Sequence, residues 1–134
     1  MKPQCRWYGI QGRSGDRQLV SAPSAQEISY RGRKVKGGIA LYTVGTDRAK
    51  ELIYAQLRVS EPGERFVNFP NRLEARYYSG LCSEVQMIHH RNGIASVRWV
   101  EVAPVASNEP LACAVSAFGH SPTWCARHRS GRLV

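Results

Sequence analysis

Three carboxylates stand where a protein can place metal or proton chemistry. Asp47 follows the near-continuous apolar run Ile39-Ala40-Leu41-Tyr42-Thr43-Val44 and opens a helical segment. That is the carboxyl edge of a strand, a common location for a metal-binding acid. A plain helix-capping role explains it equally well. Glu109 falls in the first turn of a helix that begins at Asn108-Glu109-Pro110. The helix dipole favours negative charge there, so capping is the simpler reading. Glu84 reads as a partner for one of the many arginines. Phosphodiester hydrolysis on two divalent ions needs several such acids converging from separate elements, and spacing along the chain does not by itself bring these three together.

Sulfur and imidazole chemistry has less support. Cys5, Cys82, Cys113 and Cys125 form no C-x-x-C pair, and in a cytosolic chain they read as reduced thiols. His120, Cys125 and His128 have a spacing that could clamp zinc from one side. A structural zinc normally takes four ligands and no fourth lies nearby, so a loose polar tail is the preferred reading. Nothing local supports a cysteine nucleophile served by His89, His90 or His120. The phosphate-cradling G-x-x-x-x-G-K-[ST] loop, G-x-S-x-G and H-E-x-x-H are all absent, which sets aside the ATPases, serine hydrolases and zinc proteases that depend on them.

The basic residues are the stronger signal. Net charge is +9, and the excess sits at the two ends of the chain. Residues 1–38 hold eight basic and two acidic side chains, residues 39–118 eight of each, and residues 119–134 three arginines and no acid. Arg13, Arg17, Arg31, Arg33, Lys34 and Lys36 cluster with Tyr30, and Lys50 lies one turn beyond Asp47. Such groups suit sequence-independent contact with DNA phosphates, and equally a solvated basic loop.

The elements that must position these residues follow from hydropathy. Arg6–Gln11 reads as a strand closed by the turn residues Gly12–Asp16. Residues 17–38, broken by Pro23, Gly32 and Gly37-Gly38, read as a long basic loop with a short strand at Gln18–Ser21. Ile39–Val44 has the pattern of a covered strand, and Ala49, Leu52, Ile53 and Leu57 give the next segment one apolar helical face, capped by Thr46 or Asp47. A short strand at Arg65–Phe69 and a helix at Leu73–Leu81 come next. Val85–His89 and Ala95–Val102 flank Asn92-Gly93, the strongest hairpin signal in the chain. The last helix has Asn108 as its cap, buries Leu111, Val115 and Phe118, and is expected to end at Gly119. This order predicts an α/β or α+β layer fold with one main sheet. No apolar stretch approaches the roughly 18 to 20 residues of a membrane span, and the N-terminus lacks a secretory signal, so a cytoplasmic setting is expected.

Several short strings, in a common order and spacing, resemble the nuclease domain of the lambda-type (GpA) phage terminase large subunits. They are Tyr8–Gly15, Tyr42–Lys50, Tyr54–Leu57, Glu61-Pro62-Gly63, Phe66–Pro70, Tyr77–Glu84, Trp99 and Asn108–Cys113. Together they cover about residues 6–118. The resemblance implies an RNase H-like mixed sheet with flanking helices, and an endonuclease that works on double-stranded DNA during viral DNA packaging. It also implies Mg²⁺ or Mn²⁺ as cofactor and the terminase small subunit and portal as partners. The setting would be the cytoplasm of a bacterial host, with the gene carried by a phage or prophage. On this reading residues 1–118 form a partial nuclease domain whose N-terminal strands, with the first catalytic Asp, are missing, and residues 119–134 form a basic tail. Ala112 stands where the family places its last acidic residue, and a methyl group cannot ligate a metal. Asp47 and Glu109 remain the candidate site acids, and the chain is expected to be inactive alone. Without the resemblance, the alternative is a small basic nucleic-acid-binding or prophage-derived structural protein.

Overall fold

The computed structural model describes residues 8–102 and 107–129. Its centre is one long strand. β3 (Arg33–Gly45) is flanked on one edge by β1 (Tyr8–Arg13), in parallel, and on the other by β2 (Ser24–Tyr30), antiparallel. The segment before β2 prolongs that second edge, through an isolated bridge between Val20 and Val44 and a backbone bond from Ser21 N–H to Thr43 C=O at 2.9 Å. The first two residues of the strand expected from Arg6 lie outside the described residues.

Residues 17–38 are therefore not a loop. Most of them form the β2–β3 hairpin, turned by Arg31 (φ 49°) and Gly32 (φ 75°) between the paired residues Tyr30 and Arg33. Two successive left-handed residues make the tight turn whose twist matches its strands. Arg-Gly is a poor version of the Asn-Gly signal, because a non-glycine residue in that region costs about 1 kcal/mol. Polar side chains suit a ribbon that faces water, so periodicity alone did not disclose it.

The helices α1 (Thr46–Leu57), α2 (Ala75–Leu81) and α3 (Glu109–Arg129) pack around the carboxyl end of β3. Val44, Ala49, Ile53, Leu81, Leu111 and Val115 form the buried core among the described residues. This matches the helical faces expected from sequence, with Leu52, Leu57 and Phe118 half-buried around it. Arg65–Phe69 is not a strand. Among the described residues no strand borders it, and Phe69 instead packs its ring edge-on against Tyr77 and Tyr78 of α2, at 6.4 and 5.3 Å between centroids. The Asn92-Gly93 hairpin forms as expected, from β4 (Glu84–Arg91) and β5 (Ile94–Glu101), but as a separate two-stranded sheet. The described residues thus form a mixed α/β fold with three helices and a mixed sheet. No helix among the described residues is long and apolar enough to cross a membrane.

Gly119 does not end α3, which runs on to Arg129. A Cβ there would come within 2.5 and 2.7 Å of the two Val44 methyl groups, so glycine serves the close crossing of α3 over β3. Val44 is β-branched and 1% exposed, and it cannot swing aside. Gly119→Ala should gain about 1 kcal/mol of helix propensity and lose about 1–3 kcal/mol to overpacking. Gly119→Val, with two more methyls, should be clearly destabilised in urea unfolding. A Gly119→Val protein as stable as the parent would show that no close crossing exists.

Candidate active site

The carboxyl ends of β1 and β3 meet the first turns of α1 and α3 and the start of β4. The junction leaves a cleft of about 310 Å³ lined by Gly12, Thr46, Lys50, Glu84, Asn108 and Ala112, with Ile10, Val44, Val115 and Ser116 as its remaining walls. Its narrowness has a local cause. A Cβ on Gly12 would lie 2.8 Å from Thr46 Cγ2, and one on Gly45 would lie 2.5 Å from the Gln18 carbonyl oxygen. Glycine at 12 lets β1 and the start of α1 approach so closely, and glycine at 45 lets the Arg17–Gln18 backbone lie against the end of β3.

Inside the cleft the central feature is an ion pair. Lys50 Nζ donates to Glu84 Oε2 at 2.5 Å, with side chains only 16% and 12% exposed. The same ammonium lies 5.7 Å from the centroid of the Trp99 ring, which adds a cation–π attraction. Tyr54 fixes the carboxylate's backbone. Its hydroxyl donates to the Leu81 carbonyl at 3.2 Å and accepts the Glu84 N–H at 3.3 Å, while its ring stacks on Trp99 at 5.2 Å. Burial raises the Tyr54 pKa, and the Glu84 backbone bond acts in the opposite direction.

The acids singled out in the sequence go to different places. Ala112 lines the cleft. Asp47 is not among the residues that line it. One of its oxygens accepts the Gly15 N–H at 2.8 Å and the other lies 3.4 Å from Thr46 Oγ1. Asp47 thereby ties the turn after β1 to the start of α1, and it borders a second, wider cavity of about 560 Å³ shared with Arg17, Arg48, Glu51, Gln86, Val97 and Trp99. Neither Thr46 nor Asp47 caps α1 through its side chain, since Gly45 holds the cap position without a side-chain bond. Glu109 is exposed at the first residue of α3 and is not among the residues lining the cleft. Asn108, expected to cap that helix, donates instead to Glu101 Oε1 at 3.2 Å, and Ser107 Oγ accepts the Glu109 N–H.

The basic residues divide into two groups. Arg13 and Arg17 lie at the carboxyl end of β1 beside the cavities, and the Arg17 guanidinium donates to the Ser14 carbonyl at 3.1 Å. Lys50 belongs to the cleft, held by Glu84. Arg31, Arg33 and Lys34 lie at the turn of the β2–β3 hairpin, at the opposite end of β3, where Arg33 is 12 residues from Gly45 and so up to about 40 Å from it at roughly 3.3 Å per residue. The side chains of Tyr30, Lys36, Cys125 and His128 lie outside the described residues, and with them most of the possible zinc cluster. Among the described residues no group of three or more His, Cys, Asp or Glu side chains is placed to hold a metal ion. The cleft presents one carboxylate, already matched by an ammonium, and the methyl of Ala112. That donor set does not fit a pair of divalent ions.

Sequence reasoning paired Glu84 with an unnamed arginine, whereas its partner is Lys50, 34 positions away. No local signal marks this pair or the Tyr54–Trp99 stack beneath it. Tyr54→Phe should cost about 1–2 kcal/mol of unfolding free energy, because it removes two partly buried hydrogen bonds. Folding disfavours the ionised phenol, so Tyr54 contributes fully below the ordinary phenol pKa of about 10, and its contribution is lost as pH rises through the raised folded value. In an alkaline absorbance titration Tyr54→Phe should lack the late-ionising component. An unchanged titration would show that this hydroxyl is not buried.

The family described as the endonuclease domain of terminase large subunit gpA matches residues 2–125. No curated protein and no solved structure matches the chain. With nearly the whole chain covered by that match, the protein belongs to the family of terminase large subunit gpA endonuclease domains.

Proposed function

We propose that this chain is a DNA-binding member of the terminase endonuclease family that does not cleave DNA by itself. The observation that carries the reading is the composition of the cleft. Ala112 occupies the position where the family resemblance implies an acid, and it lines the same cleft as the Lys50–Glu84 pair. An ammonium bonded to the carboxylate supplies the positive charge that a metal ion would otherwise bring, and it cannot activate water. The parallel pairing of β1 and β3, with β2 antiparallel and helices around the sheet, supports an RNase H-like architecture. Double-stranded DNA in the context of viral packaging is the substrate class that membership in the family suggests. Phage or prophage origin, a bacterial cytoplasmic setting, and the small subunit and portal as partners belong to the same proposal.

Incubation of the purified chain with supercoiled plasmid and Mn²⁺ or Mg²⁺ should leave the plasmid intact. Nicking that EDTA abolishes, and that disappears in Glu84→Gln, would overturn the reading. Ala112→Asp should by itself restore little, because Lys50 would compete with a metal for the new carboxylate. Ala112→Asp combined with Lys50→Met should gain Mn²⁺ affinity, seen as a Mn²⁺-dependent rise in Tm. If the double variant gains none, the cleft is not a lapsed metal site.

A further inference from the structure

The β4–β5 ribbon begins at the cleft, with Glu84, and runs away from it for eight residues per strand. At about 3.4 Å per residue it is roughly 24 Å long. Paired residues in an antiparallel ladder share a face. One face carries Gln86 and Trp99, and near the base it rests on α1. Gln86 Nε2 donates to Glu51 at 3.2 Å, and Trp99 stacks on Tyr54. The other face carries Val85, Met87, His89 and Arg91 on one strand, and Val100, Arg98, Ser96 and Ile94 on the other. Every one of those eight residues is exposed. Met87 is 54% and Ile94 72% exposed, and beyond α1 the first face too is open, with Ile88 at 67% and Val97 at 57%.

This much exposed apolar surface marks a contact site, and the charge indicates the partner. From Val85 to Val100 there is no acidic residue, while Arg91, Arg98, His89 and His90 all lie in that span. Neither Arg91 nor Arg98 has an ion-pair partner among the described residues. A second copy docked face to face would set these guanidinium groups against each other. A polyanion meets them with complementary charge.

We propose that the β4–β5 ribbon is a duplex-DNA contact element that lies in the major groove. This rests on the DNA-binding reading above and assigns the contact to a place in the fold. Two paired strands with their side chains fit a groove about 12 Å wide and not one of about 6 Å. Single-stranded DNA is disfavoured because the outer face offers no Phe, Tyr or Trp ring for base stacking. Arg91 and Arg98 meet the polynucleotide while Met87 and Ile94, on the same face, contact base edges, thymine methyl groups among them. Because the ribbon starts at Glu84, a groove held along it places the adjoining backbone at the mouth of the cleft.

The test is anisotropy with the full chain and a 30-base-pair labelled duplex across a salt series. Arg91→Gln/Arg98→Gln is compared with a hairpin-tip control, Arg31→Gln/Arg33→Gln/Lys34→Gln. The ribbon variant should keep the parental Tm, since both side chains are exposed, and should bind at least about tenfold more weakly, with its log–log salt slope reduced by up to about 2. Methyl green, a major-groove ligand, should displace the parent chain, and the minor-groove ligand netropsin should not. Ribbon-variant binding within twofold of the parent overturns the ribbon proposal and leaves DNA binding standing. Displacement by netropsin alone overturns the choice of groove. No binding by the parent at 50 mM salt overturns this proposal and the DNA-binding reading together. Self-association abolished in Ile94→Ser, with DNA affinity intact, would assign the surface to a second copy and also overturn the proposal.

Discussion

The approach of α3 to β3, with Gly119 against Val44, is the contact on which the rest of the molecule depends. Val44 carries the last buried side chain of the central strand, and the chain turns into α1 two residues later. A helix crossing here at side-chain distance would stand too far off for Leu111 and Val115 to reach Ala49 and Ile53. Removing one Cβ from the crossing brings α3 down onto the sheet, and close packing of the core follows. The same descent sets Ala112, one helical turn before the core residue Val115, over the ends of β1 and β3. Position in the cleft is thus a consequence of backbone proximity, and Gly12, against Thr46, serves the same convergence from the other side.

At that convergence the molecule holds charge in a nearly dry place. A carboxylate with only 12% of its side chain exposed is costly unless matched, and Lys50 matches it. The pair is reinforced by groups with no net charge: the Trp99 face beneath the ammonium and the Tyr54 hydroxyl at the Glu84 backbone. Four residues from three elements, α1, β4 and β5, therefore act as one unit. Removing either charged member would leave the other buried and unmatched, a larger loss than the pair's own net worth. A metal ion near Glu84 would have to displace an ammonium that is already well placed.

What could be read from the sequence was whatever leaves a periodic trace. The helical stripes Ala49-Ile53 and Leu111-Val115-Phe118, the covered strand ending at Val44 and the Asn92-Gly93 turn all stand where periodicity and turn chemistry put them. Three features left no such trace. The β2–β3 ribbon is polar on its exposed surfaces and turns on Arg31-Gly32, so its pattern is that of a loop. Gly119 carries the usual stop signal of a helix, and only the neighbouring Val44 reveals that it is a crossing point. Arg65–Phe69 has strand-like residues but, among the described residues, no strand beside it. The cleft was legible in part: Ala112 emerged through the family resemblance, whereas the Lys50–Glu84 pair spans 34 positions and depends wholly on tertiary packing.

The distribution of positive charge follows from the same topology. Along the chain, residues 13–36 look like one basic cluster, but β3 is long enough to separate it into two. Arg13 and Arg17 stay at the carboxyl end of β1, which runs parallel to β3, and line neighbouring cavities instead of the cleft itself. Arg31, Arg33 and Lys34 are carried to the far end by the hairpin turn. A polyanion held at the hairpin tip would therefore be up to about 40 Å from the cleft end of β3, at roughly 3.3 Å for each residue of the strand. That distance is well beyond the Debye length of about 8–10 Å at physiological salt. The tip can raise the overall affinity for a long polyanion, but it cannot steer one phosphate into the cleft. Orientation at the cleft has to come from groups at or beside it, which are Arg13, Arg17 and the ribbon that starts at Glu84.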